Sequence, residues 1–145
     1  MDELIQQMKV TLASNFSFYL KAHNFHWNVE GPNFPQYHEF LGNLWEETFN
    51  AVDGIAEHLR TLGAYAPGSL SRYSGLSLIE DELNIPEAMS MMTKLSSDNA
   101  ALIVQLTKTQ TLAESNKKMG LANYLQDRID AHEKHGWMLR SIIKD

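Results

Sequence analysis

Residues 23–38, His23-Asn24-Phe25-His26-Trp27-Asn28-Val29-Glu30-Gly31-Pro32-Asn33-Phe34-Pro35-Gln36-Tyr37-His38, decide the fold. Gly31-Pro32-Asn33 is turn chemistry, because glycine reaches φ values closed to other residues and proline ends a helix arriving from upstream. On both sides of the turn, apolar residues recur at three- and four-residue steps, the mark of a helical stripe. Upstream, Leu4, Ile5, Met8, Leu12, Phe16, Tyr19 and Leu20 place a first helix at about residues 2–28. Downstream, Tyr37, Phe40, Leu41, Leu44, Trp45, Phe49, Val52, Ile55, Ala56 and Leu59 place a second at about 34–62, stopped by Gly63. The stretch is therefore the bend of a helical hairpin. His26 lies near the end of one arm and His38 in the first turns of the other, so the turn can fold the two imidazoles together.

The same reasoning extends to the C-terminal half. Only four prolines occur, Pro32, Pro35, Pro67 and Pro86, and the long proline-free stretches between them read as helices. Residues 64–86 hold Gly68, Gly75, four serines and two prolines, a composition too irregular for a long element, with a short helix expected over Leu76–Leu83. Beyond Pro86, the positions Ala88, Met91, Met92, Leu95, Leu102, Ile103 and Leu106 give a helix to about residue 113. Ser115-Asn116 interrupts the pattern. Leu121, Tyr124, Leu125, Ile129, Trp137, Met138 and Ile142 then mark a last helix from about 117 to 142. Four long helices in two hairpins, joined by one long crossover that carries a short helix, describe an all-α, ferritin-like four-helix bundle.

At 145 residues the chain forms one domain, residues 1–145, large enough to fold around its own core without a disulfide or structural metal. It has no cysteine, which removes thiol catalysis, disulfide frameworks and Cys-ligated zinc or iron–sulfur clusters. Twelve Lys+Arg against eighteen Asp+Glu leave a net charge of −6, the wrong balance for a protein whose main task is neutralising DNA phosphates. Helix 1 starts almost at once and the chain ends at Lys144-Asp145, so no flexible basic tail is seen, and DNA binding is expected to be weak or absent. With no export signal and no apolar run of membrane-spanning length, the expected location is the cytoplasm.

The chemistry lies in the histidines and carboxylates. The six histidines are His23, His26, His38, His58, His132 and His135. Asp53 and Glu57 are four apart on helix 2, hence on one face. His38 and Asp53 are fifteen residues apart, about 22 Å along a helix axis, so no single ion bridges them within one chain. If helix 2 packs antiparallel on its copy around a two-fold axis, His38 of each chain comes opposite Asp53 and Glu57 of the other, and the pairing is made twice. Two such mixed imidazole–carboxylate sites suit Fe(II) and leave positions open for water or an oxidant. A conventional di-iron bundle instead uses Glu-x-x-His pairs within one chain. None of the eleven glutamates has a histidine three residues later. The His-x-x-His pairs, His23 with His26 and His132 with His135, are weak signals.

The run Lys21-Ala22-His23-Asn24-Phe25-His26-Trp27-Asn28-Val29-Glu30-Gly31-Pro32-Asn33-Phe34, followed by His38-Glu39-Phe40, resembles the signature of the Dps mini-ferritins, the DNA-protecting starvation proteins. Asp53-Gly54-Ile55-Ala56-Glu57-His58-Leu59-Arg60-Thr61-Leu62-Gly63 is similar to that family's Asp-x-x-Ala-Glu-Arg segment, with His58 where Arg is usual. His132-Glu133-Lys134-His135-Gly136-Trp137-Met138-Leu139-Arg140 is similar to its closing helix. The resemblance runs over nearly the whole chain. It implies a hollow dodecamer that oxidises Fe(II), preferably with hydrogen peroxide, stores ferric mineral inside and so protects against oxidative stress. It also implies that His26 and His38 of one subunit, with Asp53 and Glu57 of its two-fold mate, are the ferroxidase ligands for non-haem iron, and that Trp27 lies beside them.

Two departures bear on this expectation. Four residues after the second histidine, where the family usually carries Asp or Glu, this chain has Gly42. Either one iron is well bound per centre, or Glu46, one turn further on, takes the role; Glu46 equally reads as a solvated side chain. The other departure is the missing basic tail. Gly42 and Gly54 within helix 2 suggest close approach to a neighbouring subunit. His23 and His58 read as surface or interface residues, and Trp27, Trp45 and Trp137 as packing anchors. Asp127, Arg128 and Asp130 read as intersubunit salt-bridge or pore residues, although position 123, where an acid would suit cations, is Asn123. Two other functions compete with the ferroxidase: a DNA-compacting architectural protein with a degenerate metal site, and a purely structural bundle.

Overall fold

The computed structural model describes all 145 residues and contains five helices and no strand. They are α1 (Asp2–Asn28), α2 (Phe34–Thr61), α3 (Leu70–Leu76), α4 (Ala88–Ser115) and α5 (Met119–Ile143). The four long ones form the bundle that the sequence predicts. α1 and α2 pair as one hairpin, α4 and α5 as the other, and α1 lies against α4. The first bend works as read: Gly31 takes φ +121°, and Pro35 stands in the first turn of α2, where the missing N–H costs no hydrogen bond.

Each long helix buries one stripe. Leu4, Met8, Leu12, Phe18 and Phe25 of α1 meet Leu41, Leu44, Ile55 and Leu59 of α2 and Met91, Met92, Leu95, Leu102 and Leu106 of α4 in one continuous core. Polar groups inside this core fix which residues face one another. Asn15 Nδ2 donates to the Thr48 carbonyl (3.0 Å), tying α1 to α2, and the Thr11 and Thr109 hydroxyls share a hydrogen bond (3.0 Å) that ties α1 to α4. Sliding either helix by one turn would leave these buried groups unpaired, at about 1–3 kcal/mol each.

The short helix of the crossover lies earlier than expected, over Leu70–Leu76 rather than Leu76–Leu83. Ser69 starts it, its side-chain oxygen accepting from Arg72 N–H (3.2 Å), and Ser77 ends it in extended conformation. The following residues are pinned extended, because the Ser14 and Ser77 hydroxyls accept from the backbone N–H groups of Leu78 and Ile79 (both 3.0 Å). Side-chain hydroxyls thus outcompete the helical hydrogen bonds expected over Leu76–Leu83. Tyr73 of α3 packs on Phe16 of α1 at 4.9 Å, fastening the crossover to the bundle.

Candidate metal centre

The hairpin bend brings His26 and His38 into contact. Their rings stack at 3.8 Å between centroids, inclined by only 15°. His26 Nδ1 lies 2.7 Å from the His38 carbonyl and His38 Nδ1 lies 2.8 Å from the His26 carbonyl. A carbonyl only accepts, so both Nδ1 atoms carry the proton and donate it. In the neutral ring this tautomer leaves each Nε2 with its lone pair. A metal-binding imidazole needs this state, one nitrogen fixed by a backbone carbonyl and the other bare.

Aromatic side chains surround the pair. Phe34 stacks on His38 at 5.0 Å, and His23 is sandwiched between Trp27 (4.0 Å) and Trp45 (3.9 Å). His23 is not simply a surface residue: its burial first, and the neighbouring His26 second, hold it below the ordinary imidazole range. Trp27 is 59% exposed at the edge of the group.

Gly42 has a role that its sequence context did not show. A Cβ there would lie 3.0 Å from His26 Cε1 and 3.2 Å from Nδ1, so the bare helix backbone provides the space in which the His26 ring sits. At Gly54 a Cβ would meet the Tyr124 hydroxyl at 2.5 Å. Both close approaches are made within the same chain. Tyr124 donates to the Ala51 carbonyl (3.3 Å) and stacks on His58 at 4.4 Å, and His58 Nδ1 donates to the Gly54 carbonyl (2.8 Å). His58 is therefore a packed residue of the α2 face rather than an exposed one.

Asp53 and Glu57 stand together on the exposed side of that segment. A hydrogen bond to Asp53, and after it the Asp53 charge, hold the Glu57 carboxyl above the ordinary carboxylate range. A cation placed between them would relieve the repulsion. α2 runs unbroken from Phe34 to Thr61, so the imidazole pair and the carboxylate pair stay about 22 Å apart in one chain. No group of three metal-ligating side chains is assembled within a single chain. Glu46 is exposed on α2 between the two pairs.

The structure also shows a polar cluster between α2, α4 and α5 that the sequence reading missed. Arg128, only 7% exposed, donates to both oxygens of Glu47 (2.5 and 3.0 Å) and to His132 Nε2 (3.2 Å). His132 is fully buried; its Nδ1 donates to Asn99 Oδ1 (2.8 Å), and Asn99 Nδ2 donates to the His132 carbonyl (2.8 Å). His135 Nε2 donates to Glu47 Oε1 (2.8 Å). Although burial opposes it, hydrogen bonds from His135 and Arg128 and the Arg128 charge hold Glu47 far below its ordinary range. Burial first, then Arg128, keep His132 neutral. Arg128 is therefore an internal partner of Glu47, which corrects its reading as an intersubunit or pore residue, while Asp127, Asp130 and Asn123 are exposed. The readable signal was the spacing of Arg128, His132 and His135, four and three apart on one helical face.

No helix is long and apolar enough to cross a membrane. The ferritin-like domain family matches residues 5–145. A relative named DNA protection during starvation protein 2, from Bacillus anthracis, is 28% identical over 97% of this chain and 97% of its own length. The crystal structure of Dps from Staphylococcus aureus superposes with a TM-score of 0.95 at 26% identity, covering 100% of this chain and 97% of that one. Dps from Vibrio cholerae O1, described as a member of a broad superfamily of ferritin-like diiron-carboxylate proteins, superposes with a TM-score of 0.94 at 26% identity, covering 99% and 90%.

Proposed function

Because the chain belongs to the ferritin-like family, in its Dps mini-ferritin branch, we propose that it is a ferroxidase that stores iron in a hollow oligomer, a dodecamer in the family's manner. The observation that carries this reading is the stacked His26–His38 pair, whose Nδ1 atoms are both tied to backbone carbonyls, the tautomer in which a neutral ring turns Nε2 to a metal. Half a coordination sphere is built and held in place. The other half comes from Asp53 and Glu57 of the partner subunit, brought opposite by a two-fold contact along α2.

Iron is the substrate here. Two neutral imidazoles and two carboxylates give a ligand set suited to Fe(II) whose negative charge favours the ferric product. Each ferrous ion gives up one electron; two of them reduce hydrogen peroxide, its O–O bond breaking and both oxygens reaching the level of water. Hydrolysis of the ferric ions then releases protons and yields mineral, and the net effect protects against oxidative stress by removing both iron and peroxide. Gly42 supplies no ligand, so this set holds one iron firmly, and Glu46 is the remaining carboxylate for a second. Trp27 covers the edge of the centre. The chain works in the cytoplasm and binds DNA weakly or not at all.

Mixing the purified oligomer with Fe(II) and hydrogen peroxide tests this. The expected result is Fe(II) oxidation far faster than in buffer, abolished by His38→Ala together with Asp53→Ala. An unchanged rate in that variant contradicts the proposal.

A further inference from the structure

We propose that Tyr19, with His23 as its proton acceptor and Trp27 and Trp45 as conducting rings, donates an electron to the His26–His38 centre and so completes peroxide reduction when a single Fe(II) is bound. This rests on the ferroxidase reading and meets a shortage within it. Reducing hydrogen peroxide to water takes two electrons. One Fe(II) supplies one of them, and Gly42 offers no ligand to keep a second iron in place. Stopping after one electron would leave a hydroxyl radical beside the imidazoles.

Aromatic rings run in file from the centre along the seam between α1 and α2. The His26 ring lies 6.0 Å from His23 and 6.4 Å from Trp45. Trp27, His23 and Trp45 follow one another at 4.0 and 3.9 Å, and Trp45 reaches Tyr19 at 5.9 Å. Phe16 (5.5 Å) and Phe49 (4.8 Å) pack against the Tyr19 ring. Electrons cross such gaps with no atom moving, so the proton decides where the oxidised site comes to rest. An oxidised phenol or indole is a strong acid and persists where a base takes its proton. Trp45 Nε1–H is buried with no acceptor, so Trp45 passes the electron deficit on. The Tyr19 hydroxyl has a base in place, His23 Nδ1 at 3.1 Å. The imidazolium formed there lies between two indole rings, where cation–π attraction favours it.

The step balances. Fe(II) and Tyr19 each give one electron, the O–O bond breaks, and two solvent protons turn both oxygens into water. The phenolic O–H bond breaks and its proton stays on His23 Nδ1, leaving a neutral tyrosyl radical. A second Fe(II), oxidised in turn at the same centre, returns an electron to Tyr19, and His23 returns the proton.

Freeze-quenched electron paramagnetic resonance tests this after the assembled protein is mixed with one Fe(II) per chain and hydrogen peroxide. The expected signal is a protein radical that narrows with ring-deuterated tyrosine and is unchanged with deuterated tryptophan. Tyr19→Phe should abolish it and raise spin-trapped hydroxyl radical several-fold. His23→Phe, which keeps a ring between the indoles and removes the base, should abolish it too. Fe(II) oxidised with no protein radical, or a radical undiminished in either variant, overturns the proposal. An iron-free arm separates the two readings: flash oxidation by ruthenium tris-bipyridine with a sacrificial electron acceptor, in a Tyr65→Phe background that removes the one exposed tyrosine. A Tyr19-dependent radical is expected, formed more slowly in deuterated water unless His23 is replaced. Its formation while Fe(II) stays unoxidised in the first arm supports the donor pair and contradicts the ferroxidase reading. Its absence overturns the donor even where Fe(II) is oxidised.

Discussion

At position 42 a hydrogen stands where a side chain would be, and the His26 ring uses the space, with Cε1 3.0 Å from where a Cβ would sit. Gly42→Ala gains up to about 1 kcal/mol of helix propensity and pushes the imidazole off its stack on His38. Stability measured by calorimetry should therefore hold or rise while Zn(II) affinity by titration falls several-fold; unchanged affinity would show that His26 adapts freely. At position 54 the obstacle is a hydroxyl 2.5 Å from the Cβ site, held by the Ala51 carbonyl, so Gly54→Ala should cost about 1–3 kcal/mol. Tyr124→Phe removes the oxygen and should recover most of that loss in a double-mutant cycle. Strict additivity would refute the contact. Sequence alone identified His26, His38, Asp53 and Glu57 as candidates, because their residue types and spacing carry the chemistry. It read Gly42 as a lost ligand, because the ring that fills the vacancy comes from sixteen residues upstream and no local pattern records its direction.

The long elements were legible because each is a stripe of period 3.6 bounded by proline or glycine, as α1 and α2 show on either side of Gly31. The crossover helix was displaced because Ser14, on a different element, captures Leu78 N–H, a long-range contact that propensity does not contain. The Glu47–Arg128–His132 cluster was missed for the same reason, since its members lie 81 residues apart. Its energetics are testable. Glu47 and His132 both have lowered folded-state pKa values, so as pH falls the unfolded chain takes up protons that the folded chain refuses, and stability is lost. The loss begins as pH drops through about 6.5, the ordinary value for His132, and continues below about 4.5, the ordinary value for Glu47. Urea unfolding at fixed protein concentration from pH 8 to 4 should show this decline, and His132→Asn should flatten its upper part; a pH-independent profile would contradict it. Glu47→Gln strands a buried guanidinium, but Glu47 is 38% exposed, so the cost should fall short of the about 3–5 kcal/mol of a fully buried pair.

At the scale of the whole molecule, the account depends on α2 being continuous. A helix of 28 residues holds imidazoles at one end and carboxylates at the other, about 22 Å apart, and only a second copy running antiparallel can bring the unlike ends together. The net charge of −6 adds a separate expectation: plasmid DNA should migrate unretarded with the protein at physiological salt, and retardation would favour the DNA-compacting alternative. Subunit complementation tests the shared site most directly. His38→Ala chains and Asp53→Ala chains, each assembled alone, should be inactive with Fe(II) and peroxide. Dissociated, mixed in equal amounts and reassembled, they should regain about a quarter of the unmodified rate, because half the two-fold pairs are then mixed and each mixed pair keeps one of its two sites intact. A mixture that co-assembles and stays inactive, or either variant alone keeping the full rate, would show that the two half-sites do not meet across subunits.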